Sequence, residues 1–224
     1  MAPVAGYNAT VSLSGTSTAM TGEACTEVSY VADVGVHQIT NAAKRILDPA
    51  VAVVVYIEGL EIGETGYALD YFTGRITFVE GAVSEGDTVT VSANFIPVVQ
   101  VAEARSATIN AERDELDTSV LGTVEKSHIL GKRGATVEME SLHLLSEDLD
   151  PGGGSTVLDA IFDNATPKLV QVYNGAQYFR GWCLLPAAQQ AIPADELVTS
   201  SLTWKTSLRK AEGRSEFVAF SWGT

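Results

Sequence analysis

The sequence predicts a mainly β protein, an antiparallel β-sandwich or barrel carrying one short flanking α-helix. Three observations carry that expectation. Between Tyr71 and Pro97 the chain reads YFTGRITFVEGAVSEGDTVTVSANFIP, and there Val89, Val91, Ala93 and Phe95 alternate with Thr88, Thr90, Ser92 and Asn94. This is the period-2 pattern of a strand with one buried and one polar face. Two apolar runs, 169–173 and 178–185, flank Asn174-Gly175, a dipeptide that readily takes the positive φ angles of a tight hairpin. Hydrophobic residues make up 46% of the 224 positions and charged residues 19%, with 20 glycines; short strands and turns suit that balance better than long solvated helices.

Taken in order, residues 1–6 are small and apolar without turn or helix signals, and read as an N-terminal arm that orders against a partner. Residues 9–13 and 27–31 are short strand candidates, the first closed by Ser14-Gly15-Thr16-Ser17. Residues 41–47 have the pattern of a single helical turn, stopped before Pro49, inside a loop. The valine-dominated run 51–57 predicts a strand buried on both faces. Residues 59–66 hold three glycines and, with Glu58 just ahead, a cluster of glutamates, which predicts a turn or exposed loop.

In 71–97, Ile76 and Phe78 share a face, Thr73-Gly74 turns the chain in and Glu85-Gly86-Asp87 turns it back, so the stretch reads as one antiparallel hairpin. The apolar run 96–101 passes through Pro97, which marks an edge or a strand break. Ala107, Ile109 and Ala111 alternate as a strand, and the charged run 112–117 reads as a solvated loop. Residues 136–145 form a strand with Val137 and Met139 opposite Glu138 and Glu140.

After an acidic, proline- and glycine-rich break at 146–155, Ser155 can cap a helix. Its stripe is Val157, Leu158, Ile161 and Phe162, and Asn164 and Pro167 end it. A helix this short must lie on a sheet. Beyond the Asn-Gly hairpin come a loop at 189–196, then a strand at 198–208 with Val198, Leu202, Trp204 and Leu208 on one face. A last strand at 216–222 is apolar on both sides. No linker rich in proline, serine or like charge interrupts the chain, so one domain over residues 1–224 is the simplest count.

Four stretches carry a resemblance. Asp70, a short aromatic turn and Gly74-Arg75-Ile76-Thr77-Phe78 make the first; EGDTVTVSANF at 85–95 makes the second. The others are QITNAAKRILDPA at 38–50 and ATINAERDELDTSVLGT at 107–123. Together they resemble the N-terminal half of major tail tube proteins of long, non-contractile-tailed bacteriophages. In the last stretch the match carries to Asp117, Thr118 and Gly122.

The resemblance implies a structural, non-enzymatic virion subunit without cofactors. It implies six subunits to a ring, with rings stacked through an N-terminal arm and an extended loop. The lumen would pass double-stranded DNA without specific binding and hold a tape-measure protein during assembly, with tail terminator and tip proteins as further partners. Assembly would take place in a host cytoplasm. Candidate inter-subunit residues are Pro3, Val4 and Tyr7 in the arm, Lys44 and Arg45 in the 38–50 loop, Glu61 and Glu64 in the 59–66 turn, and Phe220 and Trp222 in the last strand. The alternatives are another tail or neck component such as a tail terminator, or a monomeric acidic β-sandwich that binds carbohydrate or a receptor through exposed Trp and Tyr.

Charge bears on these readings. Fourteen Lys and Arg stand against 28 Asp and Glu, a net charge of −14, and the first 43 residues contain no Lys or Arg. The basic runs are the pairs Lys44-Arg45, Lys132-Arg133 and Arg209-Lys210, too little to hold DNA by its phosphates. A diffuse acidic field repels phosphate instead. The N-terminus, MAPVAGYNATVSLSG, has neither a basic n-region nor an apolar h-region, and no apolar run reaches the length of a membrane helix. A protein made and kept in a cytoplasm is expected, with Cys25 and Cys183 as buried thiols.

Catalytic and metal motifs do not emerge. G-x-S-x-G, G-x-G-x-x-G and Walker patterns are absent, and Gly131-Lys132 lacks the upstream glycine and the following hydroxyl. His37, His128 and His143 have no ligand spacing. Asp148, Asp150, Gly153 and Asp159 touch a calcium-loop template, but Gly152 replaces a ligand and Asp159 the bidentate glutamate. Trp182, Trp204 and Trp222 fall in strands and are expected to pack in a core or interface.

Overall fold

The computed structural model describes residues 9–117, 128–144, 167–175, 177–191, 199–214, 217–218 and 220–223. They fold as mainly antiparallel β structure, in agreement with the sequence expectation. Among the described residues, helical structure is confined to two 3-10 turns, Ala42–Lys44 and Glu64–Gly66. The helix expected from Ser155 lies outside the described residues, as does the calcium-like stretch.

The chain forms two compact units. One comprises Met1–Ser12, Gln100–Ser207 and Trp222–Thr224; the other comprises Leu13–Val99 and Leu208–Ser221. Three of the four changes of unit fall within strands, β1 (Ala9–Ser14), β9 (Val98–Asp117) and β16 (Phe220–Gly223), and the fourth falls between Ser207 and Leu208, just past a strand end. Strand composition continues through these points, so no linker is visible in the sequence.

The 13–99 unit is built on a seven-stranded sheet. Its strands are β2 (Thr18–Val31), β3 (Val34–Ile39), β4 (Val54–Ile57), β5 (Leu60–Ile62), β6 (Tyr67–Asp70), β7 (Arg75–Phe78) and β8 (Val89–Phe95), in the order β5-β4-β8-β2-β3-β7-β6. The faces follow the sequence pattern: Val89, Val91, Ala93, Ile76 and Phe78 are buried, while Arg75 and Thr77 are exposed. The hairpin expected over 71–97 is not formed. β7 pairs with β3 and β6, β8 pairs with β2 and β4, and the β2–β3 hairpin stands between them.

Two features produce that insertion. β2 and β3 are joined by a two-residue turn, Ala32-Asp33, with φ of 51° and 60°, the geometry that keeps twisted strands in register. Residues 79–88 form a packed excursion. Gly81 N–H donates to the Asp33 carbonyl, Ser84 N–H to the Asp87 carboxylate, and Val83 is buried.

β4 also departs from expectation. Val55 and Ile57 are buried but Val54 and Tyr56 only partly so, because an antiparallel sheet covers one face of each strand. Residues 59–66 contain the short edge strand β5, reached through the left-handed pair Glu58-Gly59.

The 38–50 segment is tied down along its length. The Asn41 side chain caps the first 3-10 turn through Ala43 N–H. Leu47 N–H donates to Tyr71 O, Asp48 N–H to Asn94 O, and Ile46 O accepts from Ile96 N–H. Gly74 has φ +62°, and a Cβ there would stand 2.9 Å from the Arg45 carbonyl oxygen; only glycine fits both the turn and the approach. Asp70 closes the same turn, accepting from Phe72 N–H and the Thr73 hydroxyl. The returning segment adds the pair β14 (Arg209–Lys210) and β15 (Phe217–Val218). It buries Ala211, and Glu212 N–H donates to Pro49 O.

The other unit is organised by β1 and β9 with β10 (His128–Leu144), β11 (Lys168–Tyr173), β12 (Tyr178–Ala191), β13 (Thr199–Thr206) and β16, in the order β11-β1-β9-β10-β13-β12-β16. β11 also pairs with β12, so the ladder from β11 round to β12 returns on itself. The Asn-Gly hairpin forms as expected: Tyr173 pairs with Tyr178, Gly175 has φ +91°, and the Asn174 side chain accepts from Gln177 N–H. Trp182, Trp204, Val137, Met139, Leu169, Phe179 and Leu202 fill the core.

The expected loop at 112–117 is instead strand. Glu112 pairs with Gly134 and Asp117 with His128, so the β10 backbone satisfies hydrogen bonds that a solvated loop would give to water. The break at Pro97 occurs as expected. On the strand predicted at 198–208, Leu202 and Trp204 are buried but Leu208 is 54% exposed, because the strand ends at Thr206. Val198 and Glu216 lie outside the described residues. The last strand is split into β15 and β16, with Val218 and Phe220 buried.

Candidate assembly surface

The candidate inter-subunit residues divide by their placement. Pro3, Val4 and Tyr7 lie outside the described residues. Lys44, at the end of the first 3-10 turn, is engaged within its own unit: its ammonium pairs with the Glu23 carboxylate at 2.5 Å and lies 5.9 Å from the Phe95 ring centre. Arg45 is likewise occupied, its Nε donating to Ile39 O at 2.8 Å. Phe220 is buried and Trp222 sits on β16.

Glu61 and Glu64 are exposed. Glu61 lies on edge strand β5, beside Leu60, which is 72% exposed. Glu64 opens the second 3-10 turn, and its carboxylate borders Gly213. A short edge strand carrying a carboxylate resists indiscriminate pairing. Arg75 is the only basic residue between 51 and 99.

Sequence reasoning missed a second surface. On β3, Gly35, His37 and Ile39 face the core, so Val34 and Val36 face outward. The register sets Val34 opposite Val31, and Ser29, Val36, Thr77 and Ala68 in one row across β2, β3, β7 and β6. Val31 and Val79 are 71% and 48% exposed. The result is an uncharged, valine-rich strip, with Ser29 and Thr77 in its row, rimmed in sequence by Asp33 and Glu80. The signal available was the alternation of Val34 and Val36 with Gly35 and His37, which assigns faces only once the inward side is known.

The reactive side chains are placed for inertness. Burial, with Glu23 adding to it, pushes the half-buried Cys25 thiol up to about 12; burial alone does the same to Cys183. Both are free thiols, and a protonated thiol is a poor nucleophile. Among the described residues no cluster of His, Cys, Asp or Glu could hold a metal. Trp182 and Trp204 are buried, which removes both from any exposed stacking platform. No helix among the described residues is long and apolar enough to cross a membrane.

No family model and no curated protein matches the chain. Among solved structures, a chain from the virion of a native gene transfer agent particle is similar at 16% identity and a TM-score of 0.38, over 55% of this chain and 89% of that one. A chain from the tail of an empty gene transfer agent particle, computed with helical refinement and C6 symmetry, is similar at the same identity and score, over 55% of this chain and 87% of that one.

Proposed function

We propose that the chain is a structural subunit of a phage-type tail, and specifically a major tail tube protein that assembles into stacked rings around a DNA conduit. One observation carries this reading. Three stretches that bear the family resemblance, 38–50, 70–78 and 85–95, are separate in sequence and meet in one hydrogen-bonded block of the 13–99 unit. Gly74 O accepts from Ile39 N–H, Tyr71 O from Leu47 N–H, and Asn94 O from Asp48 N–H. That these stretches are bonded to one another supports reading them together rather than as isolated strings. The fourth stretch runs along β9.

The chemistry is compatible with a passive wall. The net charge of −14 opposes phosphate binding, and both cysteines are held as thiols. In this proposal one domain is made of both units, and the 1–6 arm, the exposed Glu61 and Glu64 turn and the final strand bear on neighbouring subunits. Tape-measure, terminator and tip proteins are the other partners, in a virion tail assembled in a host cytoplasm.

Electron microscopy of negatively stained protein over a range of concentration and salt, paired with light scattering, tests this directly. Rings or tubes with a central channel are expected, favoured at higher salt where repulsion between acidic subunits is screened over about 8 Å. Monodisperse monomer under every condition, including mixtures with preformed tail tips, would remove the tube reading.

A further inference from the structure

His37 is a buried base in a site with nothing to bind. It is 1% exposed, and neither Nδ1 nor Nε2 has a hydrogen-bond partner. Its ring meets Phe78 edge-on, with centroids 5.5 Å apart and planes at 86°. Its neighbours leave little slack: a Cβ on Gly35 would fall 2.4 Å from Val83 Cγ1 and 3.5 Å from the His37 ring. A neutral imidazole with unmet groups costs some stability there; an imidazolium with two unmet donors costs far more.

The charged groups around it are few. On β2 its cross-strand partner is Glu27; in the 84–88 turn it is influenced by Asp87; on β7 it pairs with Ile76, while Arg75 pairs with Gln38 on the opposite face. Both carboxylates already have work. Glu27 accepts from Gly86 N–H and Asp87 from Ser84 N–H, so these two bonds anchor the segment that seats Val83.

We propose that His37 is an acid-sensitive latch: charging its ring drives it out of the sheet core towards Glu27 and Asp87, draws those carboxylates from Gly86 and Ser84, and releases the 79–88 segment. Burial lowers its proton affinity below the ordinary value of 6.5, with Glu27 and Asp87 opposing. A histidine whose folded value is depressed contributes stability fully above the unfolded value, and loses it as pH falls from there through the folded value. The release therefore operates on the acid side of 6.5 and leaves neutral solutions untouched.

Hydrogen exchange by mass spectrometry on the full-length chain at pH 7.5 and 5.0, corrected for intrinsic exchange, reads the latch segment by segment. Peptides over 34–39 and 75–88 are expected to open more at pH 5.0 than at pH 7.5, by about tenfold for each pH unit that separates the folded and unfolded values. Peptides over 168–173 should show no such gain, and His37→Leu should abolish it. An NMR titration of the His37 ring supplies an arm independent of that variant's folding, with a midpoint expected below 6.5. No acid gain in the wild-type chain, an equal gain in His37→Leu, or a midpoint at or above 6.5 would each overturn the latch.

Discussion

Two stretches of this chain advertise a hairpin in similar terms, and only one forms it. Residues 168–191 place two apolar runs around Asn174-Gly175, and β11 and β12 pair directly across that turn. Residues 71–97 place two alternating runs around Glu85-Gly86-Asp87, yet β7 and β8 end up with β2 and β3 between them. The difference is the character of the connection. The first is a tight turn in which the Asn174 side chain accepts from Gln177 N–H and Gly175 O accepts from the Tyr173 hydroxyl. The second is an excursion with a buried residue of its own, Val83, and a bond to the Asp33 carbonyl. Alternation reports which side chains face inward; the choice of neighbour is settled by what the connection packs against.

Paired substitutions sharpen that contrast. The largest effect is expected at Gly74, where φ +62° and the Arg45 carbonyl leave no room: Gly74→Ala should destabilise by about 2–4 kcal/mol, read as a fall in the urea midpoint. Val83→Ala comes next. If residues 79–88 are core rather than linker, it should cost about 2 kcal/mol, and a loss within a few tenths would return the segment to the status of an ordinary turn. Gly175→Ala has the same kind of backbone, φ +91°, but open space around it, so only the left-handed penalty applies, about 1 kcal/mol. A cost matching that of Gly74→Ala would erase the distinction between the two sites. The smallest effect has the opposite sign: Ala32 sits at φ +51°, and Ala32→Asn should raise the thermal midpoint through a gain of about 0.5 kcal/mol.

These contrasts also mark what could be read from residues alone. Faces were legible: Val89, Val91, Ile76, Phe78, Val137 and Met139 all point inward as their alternation requires. The Asn174-Gly175 hairpin and the break at Pro97 were legible because glycine, asparagine and proline act through local backbone sterics. Partner choice was not, since β2 can insert between β7 and β8 only through contacts far away in sequence. Charge misled at 112–117, where a run of charged residues has a strand-paired backbone. Among the candidate assembly residues, Lys44 and Arg45 looked free in sequence but are bound by Glu23 and Ile39 O, whereas Glu61 and Glu64 are exposed. The outward strip around Val31, Val34 and Val36 needed the register to become visible.

The chain leaves the 13–99 unit at Val99 and comes back to it at Leu208. There Ala211 and Val218 are buried, and the Arg214 guanidinium lies 4.4 Å from the Tyr67 ring centre. A polypeptide emerging from a ribosome therefore holds this unit incomplete, though its seven-stranded sheet is already written, while roughly a hundred further residues are made, a delay that exposes apolar surface to neighbouring nascent chains. Completion waits for the 208–221 segment. A protein truncated before Leu208 would lack the piece that seals its own earlier half, so unfinished chains would carry a structural mark that distinguishes them from finished ones.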